Sequence, residues 1–259
     1  MKYGCIGEKL GHSFSKEIHS CLNDYSYELK ELKPEELDGF LLDKDFLGIN
    51  VTIPYKEKVI PYLDFIDDSA TYIGAVNTII CKGGKLYGYN TDFGGLKGLI
   101  EKADIDLKDK KVLILGTGGT SKTAVSVASA LGANKVLRVS RTKREDSVSY
   151  REVYEKHIDS DLIINTTPVG MFPNVDETPI DLTRFNNLSG VVDVVYNPLK
   201  TKLVESAEKL NIKAVNGLYM LVLQAALASE KFVETNYSKE EIDDVFEKIT
   251  EIKERENNK

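Results

Sequence analysis

The stretch Lys111-Val112-Leu113-Ile114-Leu115-Gly116-Thr117-Gly118-Gly119-Thr120-Ser121 decides the fold. It opens on a continuous apolar run, which suits a parallel strand covered on both faces. Glycines at 116, 118 and 119 follow, and a helical segment, Thr123 to Leu131, comes next. Strand, glycine-rich loop and helix in that order predict a Rossmann turn. Its glycines let the backbone pass close to a pyrophosphate, which then rests on the helix N-terminus. The match to G-x-G-x-x-G is incomplete, because Ser121 stands where the third glycine would be. Read alone, the loop also fits a plain tight turn.

The next strand, Lys135 to Ser140, ends in Ser140-Arg141-Thr142-Lys143-Arg144. A site for NAD carries an acid there to bond the ribose hydroxyls. Here the acid is missing and cations replace it. Arg141 offers a planar bidentate fork to a phosphate, so the turn favours NADP over NAD; an exposed basic turn is the structural alternative. Strands at Leu162 to Asn165 and Val191 to Val195, a helix at Thr201 to Leu210 and a short strand near Ala214-Val215 continue the alternation. Strands alternating with helices predict βαβ units and a doubly wound α/β sheet. From Leu218 onward the pattern is two helices.

Upstream of the loop the elements are shorter. Tyr3 to Ile6 and Tyr27 to Leu32 read as strands, Ser15 to Leu22 as a helix capped by its serine, and Pro34 as a helix start. Gly48 to Ile53 reads as a strand ended by Pro54. Ala75 to Cys81 and Leu86 to Tyr89, joined by Lys82-Gly83-Gly84-Lys85, read as a β-hairpin. Phe93 to Ala103 reads as a helix, and the polar stretch Asp104 to Lys110 as a crossing between domains.

Bulk properties narrow the function. The chain has 259 residues, long enough for two domains and a large core without metal or disulfide staples. Its 41 acidic and 34 basic side chains give a net charge of -7, which excludes the basic field of a nucleic-acid binder. Cys5, Cys21 and Cys81 are too scattered for a zinc pattern and read as small buried hydrophobes in a reducing compartment. No segment approaches the length of a membrane span or a signal peptide, so the cytoplasm is expected. His12, His19 and His157 are read as structural.

Three clusters upstream carry candidate chemistry. Ser13 and Ser15, in Gly11-His12-Ser13-Phe14-Ser15, stand at i and i+2, where two hydroxyls can point the same way toward a carboxylate; Ser15 also reads as a plain cap. Asn50-Val51-Thr52-Ile53-Pro54-Tyr55-Lys56 leaves Lys56 just past a strand end, though a lone lysine is ordinarily a solvated charge. Ala75-Val76-Asn77-Thr78 and Asn90-Thr91-Asp92 place Asn77 and Asp92 at strand positions, where short polar residues are disfavoured and a functional reason is expected.

In their order along the chain, these motifs resemble those of the shikimate dehydrogenases. The resemblance extends through Gly116 to Ser121, Arg141-Thr142, Asn165 to Met171, Asp193 to Pro198, and Gly217 with Met220-Leu221-Val222 and Gln224-Ala225-Ala226. It implies an N-terminal α/β substrate domain (1–92 with 217–259), a Rossmann NADP-binding domain (93–216) and an active site in the cleft between them. By the same resemblance, Lys56 and Asp92 are the catalytic pair. Ser13 and Ser15 bind the substrate carboxylate with Tyr196 nearby, and Thr52, Lys56, Asn77, Asp92 and Gln224 hold ring hydroxyls. Gly116, Thr117, Gly118, Gly119, Thr120, Ser121, Ser140, Arg141, Thr142, Arg144, Thr166, Val194, Gly217 and Met220 are expected to bind NADP(H).

The sequence departs from the family pattern in places. Lys9 and Lys16 replace prolines, Ser140 replaces an asparagine before Arg141, and Thr117 and Thr120 replace alanines. The activity implied is reversible reduction of 3-dehydroshikimate to shikimate, by a monomer or homodimer needing no metal, nucleic acid or membrane. Two rivals remain at this level. A dual quinate/shikimate dehydrogenase would share most motifs, and a non-catalytic NADP-binding sensor would share the fold without needing both Lys56 and Asp92.

Overall fold

The computed structural model describes residues 1–11, 14–142 and 145–257. The chain divides into two compact units, Met1–Gly95 with Leu221–Glu251, and Leu96–Met220 with Ile252–Lys259.

The first unit contains β1 (Tyr3–Gly7), α1 (Ser15–Leu22), β2 (Tyr27–Glu31), α2 (Leu37–Asp43), β3 (Gly48–Val51), β4 (Phe65–Ile66), α3 (Asp68–Ile73), β5 (Thr78–Lys82) and β6 (Lys85–Tyr89). These strands form a six-stranded mixed sheet in the order β2-β1-β3-β5-β6-β4. β1 pairs in parallel with β2 and β3, and the expected hairpin β5–β6 is antiparallel. Ile6, Ile49, Val51, Ile79 and Leu86 pack with Leu37 and Leu41 of α2 and Ala70 of α3. Each such large aliphatic, taken fully out of water, contributes roughly 1.5–3 kcal/mol.

The chain then runs through α4 (Thr91–Lys102) into β7 (Lys111–Leu115), α5 (Gly119–Ala130), β8 (Lys135–Ser140), β9 (Val148–Ser149), α6 (Tyr150–Lys156), β10 (Leu162–Asn165), β11 (Gly190–Asp193), α7 (Lys202–Lys209) and β12 (Lys213–Val215). It ends in α8 (Leu218–Val233) and α9 (Lys239–Asn257). Ala228 and Phe232 of α8 pack with Cys5 and Tyr27 of the first sheet. The second sheet has the order β12-β11-β10-β7-β8-β9 with every ladder parallel. Strand order reverses between β7 and β10, the topological switch point at which doubly wound sheets bind ligands beyond their strand ends. Val112 to Leu115 are all fully buried, as a strand covered on both faces requires. Among the described residues, no helix is long and apolar enough to cross a membrane.

Three readings change. Asp92 is not on a strand: the chain leaves β6 at Tyr89 and Asp92 lies in the first turn of α4. Asn90 causes the turn by capping the helix, its Oδ1 accepting from the N–H of Phe93 at 3.2 Å. An acid in that first turn is favoured by the helix dipole rather than costly. The helix after the glycine loop begins at Gly119, four residues earlier than the sequence suggests, with Gly118 as its N-cap. Ser15 does not cap α1; Phe14 holds that position without a side-chain bond.

Candidate active site

Lys56 follows the end of β3, and its backbone is fixed where its carbonyl accepts from the N–H of Val76 at 2.8 Å. Its Nζ donates to Oδ2 of Asp92 at 2.6 Å, and both side chains are largely buried. A pair so far out of water holds together because each charge would be costly alone. Asn77 supports it from beside Asp92: its Oδ1 accepts from the N–H of Thr91 at 2.7 Å, and its Nδ2 donates to Oγ1 of Thr91 at 3.0 Å.

Beneath Asn77 runs a buried polar chain. Asn50 donates through Nδ2 to Oγ1 of Thr78 at 3.1 Å, and Thr78 donates to Oδ1 of Asn77 at 3.1 Å. Oδ1 of Asn50 accepts from the hydroxyl of Tyr27 at 2.7 Å. Tyr27 and Asn50 belong to strands separated by β1. Burial pushes the Tyr27 phenol well above its ordinary range, so it remains a donor, and it also bonds the side chain of Ser15. The ring of Tyr27 stacks on His19 at 3.9 Å. The structure thus brings Ser15, Asn77, Lys56 and Asp92 into one unit with Tyr27 and Asn50 beneath them. Thr52 lies half-buried between β3 and Lys56, and Gln224 on α8 donates to the carbonyl of Leu221 at 2.8 Å. Ser13 lies outside the described residues. Tyr196 is half-buried and belongs to the second unit.

In the second unit Gly116 has φ +111°, and a Cβ there would fall 2.7 Å from Oγ1 of Thr166. Only glycine fits. Ser121 takes the third glycine position without disrupting the turn: it is fully buried and its hydroxyl donates to the carbonyl of Gly116 at 2.8 Å. The first-turn N–H groups of α5, around Gly119 and Thr120, have no helical carbonyl to satisfy them, an arrangement suited to an anion. Thr117 lies in the loop itself. Ser140 closes β8, with Arg141 and Thr142 exposed just beyond; Arg144 lies outside the described residues. Thr166 follows β10 and donates to the carbonyl of Leu115 at 2.6 Å. Val194 follows β11, and Gly217 approaches it so closely that a Cβ would lie 2.1 Å from the Val194 carbonyl oxygen. Met220 is buried at the start of α8.

Residues 5–79 match the family described as shikimate dehydrogenase substrate binding domain. A shikimate dehydrogenase (NADP(+)) of Clostridium beijerinckii is 40% identical over 245 residues, which is 88% of this chain and 90% of that protein. The chain belongs to the shikimate dehydrogenase family. Solved shikimate dehydrogenases agree across both units. Shikimate dehydrogenase 1 of Peptoclostridium difficile has a TM-score of 0.87 at 37% identity, covering 96% of this chain and 98% of that one. The shikimate 5-dehydrogenase of Thermus thermophilus, solved in complex with NADP(H) and shikimate, has a TM-score of 0.85 at 28% identity, covering 96% and 99%. The first unit is the shikimate dehydrogenase substrate domain and the second its Rossmann domain.

Sequence reasoning assigned no role to Tyr27, Asn50, Thr91, Asn165 or Asp193. The last two were detectable in principle, since each is a polar residue closing an otherwise apolar buried strand. The Tyr27–Asn50 bond leaves no such mark, because it crosses an intervening strand.

Proposed function

We propose that this chain interconverts 3-dehydroshikimate and shikimate with NADP(H), and that Lys56 and Asp92 work as its catalytic pair. The observation that carries the reading is the largely buried Lys56–Asp92 contact, assembled from separate elements in the substrate domain. The second unit fits the dinucleotide: Gly116 is held in a conformation only glycine adopts, α5 presents its N-terminus, and Arg141 stands exposed where a 2′-phosphate would need a cation.

Bound NADP(H) supplies the hydride, or accepts it in the reverse direction. In reduction, negative charge builds on the ketone oxygen, and the Lys56 ammonium stabilises it and donates the proton. Asp92 holds Lys56 in place and accepts from a neighbouring ring hydroxyl. Asn77 has an N–H on Nδ2 beyond the one given to Thr91 and offers it to a hydroxyl. Ser13 and Ser15 donate to the substrate carboxylate, with Tyr196 nearby. A carboxylate needs such local donors because the protein's net charge of -7 provides no general attraction for anions.

A protein that only sensed NADP would have no use for a desolvated lysine–aspartate pair beside a hydroxyl-binding asparagine. The three cysteines are free thiols, which fits a reducing cytoplasm. Shikimate-dependent formation of NADPH by the purified protein tests the reading directly.

A further inference from the structure

Asn165 closes β10 and Asp193 closes β11, and both side chains are fully buried. Oδ1 of Asp193 accepts from Nδ2 of Asn165 at 2.9 Å and from the N–H of Val195 at 3.1 Å. Oδ2 accepts from the hydroxyl of Thr201 at 2.7 Å. Asn165 passes the contact on, its Oδ1 accepting from the N–H of Thr167 at 3.0 Å and from the Thr167 hydroxyl at 2.7 Å. Thr201 in turn caps α7 by accepting from the N–H of Val204. One carboxylate therefore ties together the segment after β10, the segment after β11 and the start of α7.

Those segments carry Thr166, directly after Asn165, and Val194, directly after Asp193. Strand order decides which part of a dinucleotide they would meet. The glycine loop after β7 takes the pyrophosphate, and the basic turn after β8 takes the adenosine 2′-phosphate. β10 and β11 lie on the opposite side of β7 from β8, so the half of the dinucleotide beyond the pyrophosphate falls over their ends. A buried carboxylate is an expensive way to fill space. Burial pushes the Asp193 carboxyl up to about 6, with Thr201, Val195 and Asn165 pulling it the other way.

We propose that Asp193 is a positioning residue for the nicotinamide-side half of the dinucleotide, acting through Asn165 and Val195 on the segments that carry Thr166 and Val194. This rests on the reading of the second unit as the NADP(H) domain. Calorimetry on the whole 259-residue chain with two probes tests it: NADP+, and 2′,5′-ADP, which keeps the adenosine 2′-phosphate and lacks the nicotinamide half. Asp193→Asn should weaken NADP+ about tenfold or more, the effect of losing a charge-assisted hydrogen bond, and leave 2′,5′-ADP within about twofold. Thr201→Val, which removes the hydroxyl that bonds Oδ2 and with it the cap of α7, should act in the same direction, and Thr201→Ser, which keeps both, should bind like wild type. If Asp193→Asn does not fold, the valine and serine variants carry the test. Retained NADP+ affinity, equal weakening of both probes, or a valine variant that binds like the serine variant overturns the proposal. Wild-type protein that binds neither probe overturns the dinucleotide reading and the proposal with it.

Discussion

Nζ of Lys56 lies 2.6 Å from Oδ2 of Asp92 across 36 positions of sequence. Lys56 stands beyond a strand end and Asp92 in the first turn of a helix, so nothing local brings them together. The alignment depends on Asn77, which grips the backbone and hydroxyl of Thr91 one residue before Asp92. Two buried charges held this way suit a group that must deliver a proton and take it back.

Removing Lys56 should therefore slow chemistry more than it weakens binding. Lys56→Ala is expected to lower kcat by about 100- to 10,000-fold, with the shikimate KM changed far less. Asp92→Ala should impair both parameters, and the double variant should fall well short of additivity. Steady-state kinetics checks this: kcat within about twofold of wild type would make Lys56 a bystander, and a raised KM with intact kcat would make it a binding residue only.

Arg141 is exposed just past β8, and no acid stands at that strand end. Arg141→Ala should raise the KM for NADP by one to two decades and barely change that for NAD, since losing a charge-assisted bond costs ~1.5–3 kcal/mol. Equal losses for both cofactors would remove Arg141 from the 2′-phosphate.

Ser15 bonds Tyr27 at the head of a buried polar chain and does not cap α1. Ser13→Ala and Ser15→Ala should raise the shikimate KM and leave the cofactor KM nearly unchanged. Part of the loss should fall on kcat, because a tilted ring misaligns the hydride path. A double variant with wild-type shikimate KM would contradict the carboxylate assignment.

His19 gives a pH signature in stability. Burial pushes its imidazole down to about 3, so the unfolded chain takes up a proton that the folded protein refuses. The stability this gives is complete above about pH 6.5 and is lost as pH falls toward 3, at up to about 1.4 kcal/mol per pH unit. Asp193 has the opposite sign: its raised carboxyl destabilises the fold near neutrality and is relieved as pH falls through about 6. The difference between wild type and His19→Phe isolates the histidine. In urea melts, wild type should lose about 2 kcal/mol more than the variant between about pH 7 and pH 5. Equal losses would show that His19 is protonated in the folded state.

The sequence shows β8 and β10 to their end residues, because Leu162-Ile163-Ile164 is a continuous apolar run and Val136, Leu137 and Val139 cluster between polar ends. It does not show β4, two residues long, or α3, of six residues, since neither completes enough of a period to register. α6 carries a capping box at Ser149 and Glu152, a local signal with no long apolar stripe behind it. Asp92 reads as the continuation of a hairpin arm because the turn depends on the Asn90 cap, whose effect appears only once the helix has formed. Spacing does not pair Lys56 with Asp92; family resemblance did. The Tyr27–Asn50 bond beneath them, and the Asn165–Asp193 bond of the second unit, are contacts between strands, set by sheet order rather than by any local pattern.

Turnover of the wild-type protein with shikimate or quinate, each with NADP+ or NAD+, separates a shikimate dehydrogenase from its rivals. The expected kcat/KM is highest for shikimate with NADP+ and falls when either the substrate or the cofactor is exchanged. Equal or better turnover of quinate, equal use of NAD+, or binding of NADP+ with no turnover of either substrate would contradict it.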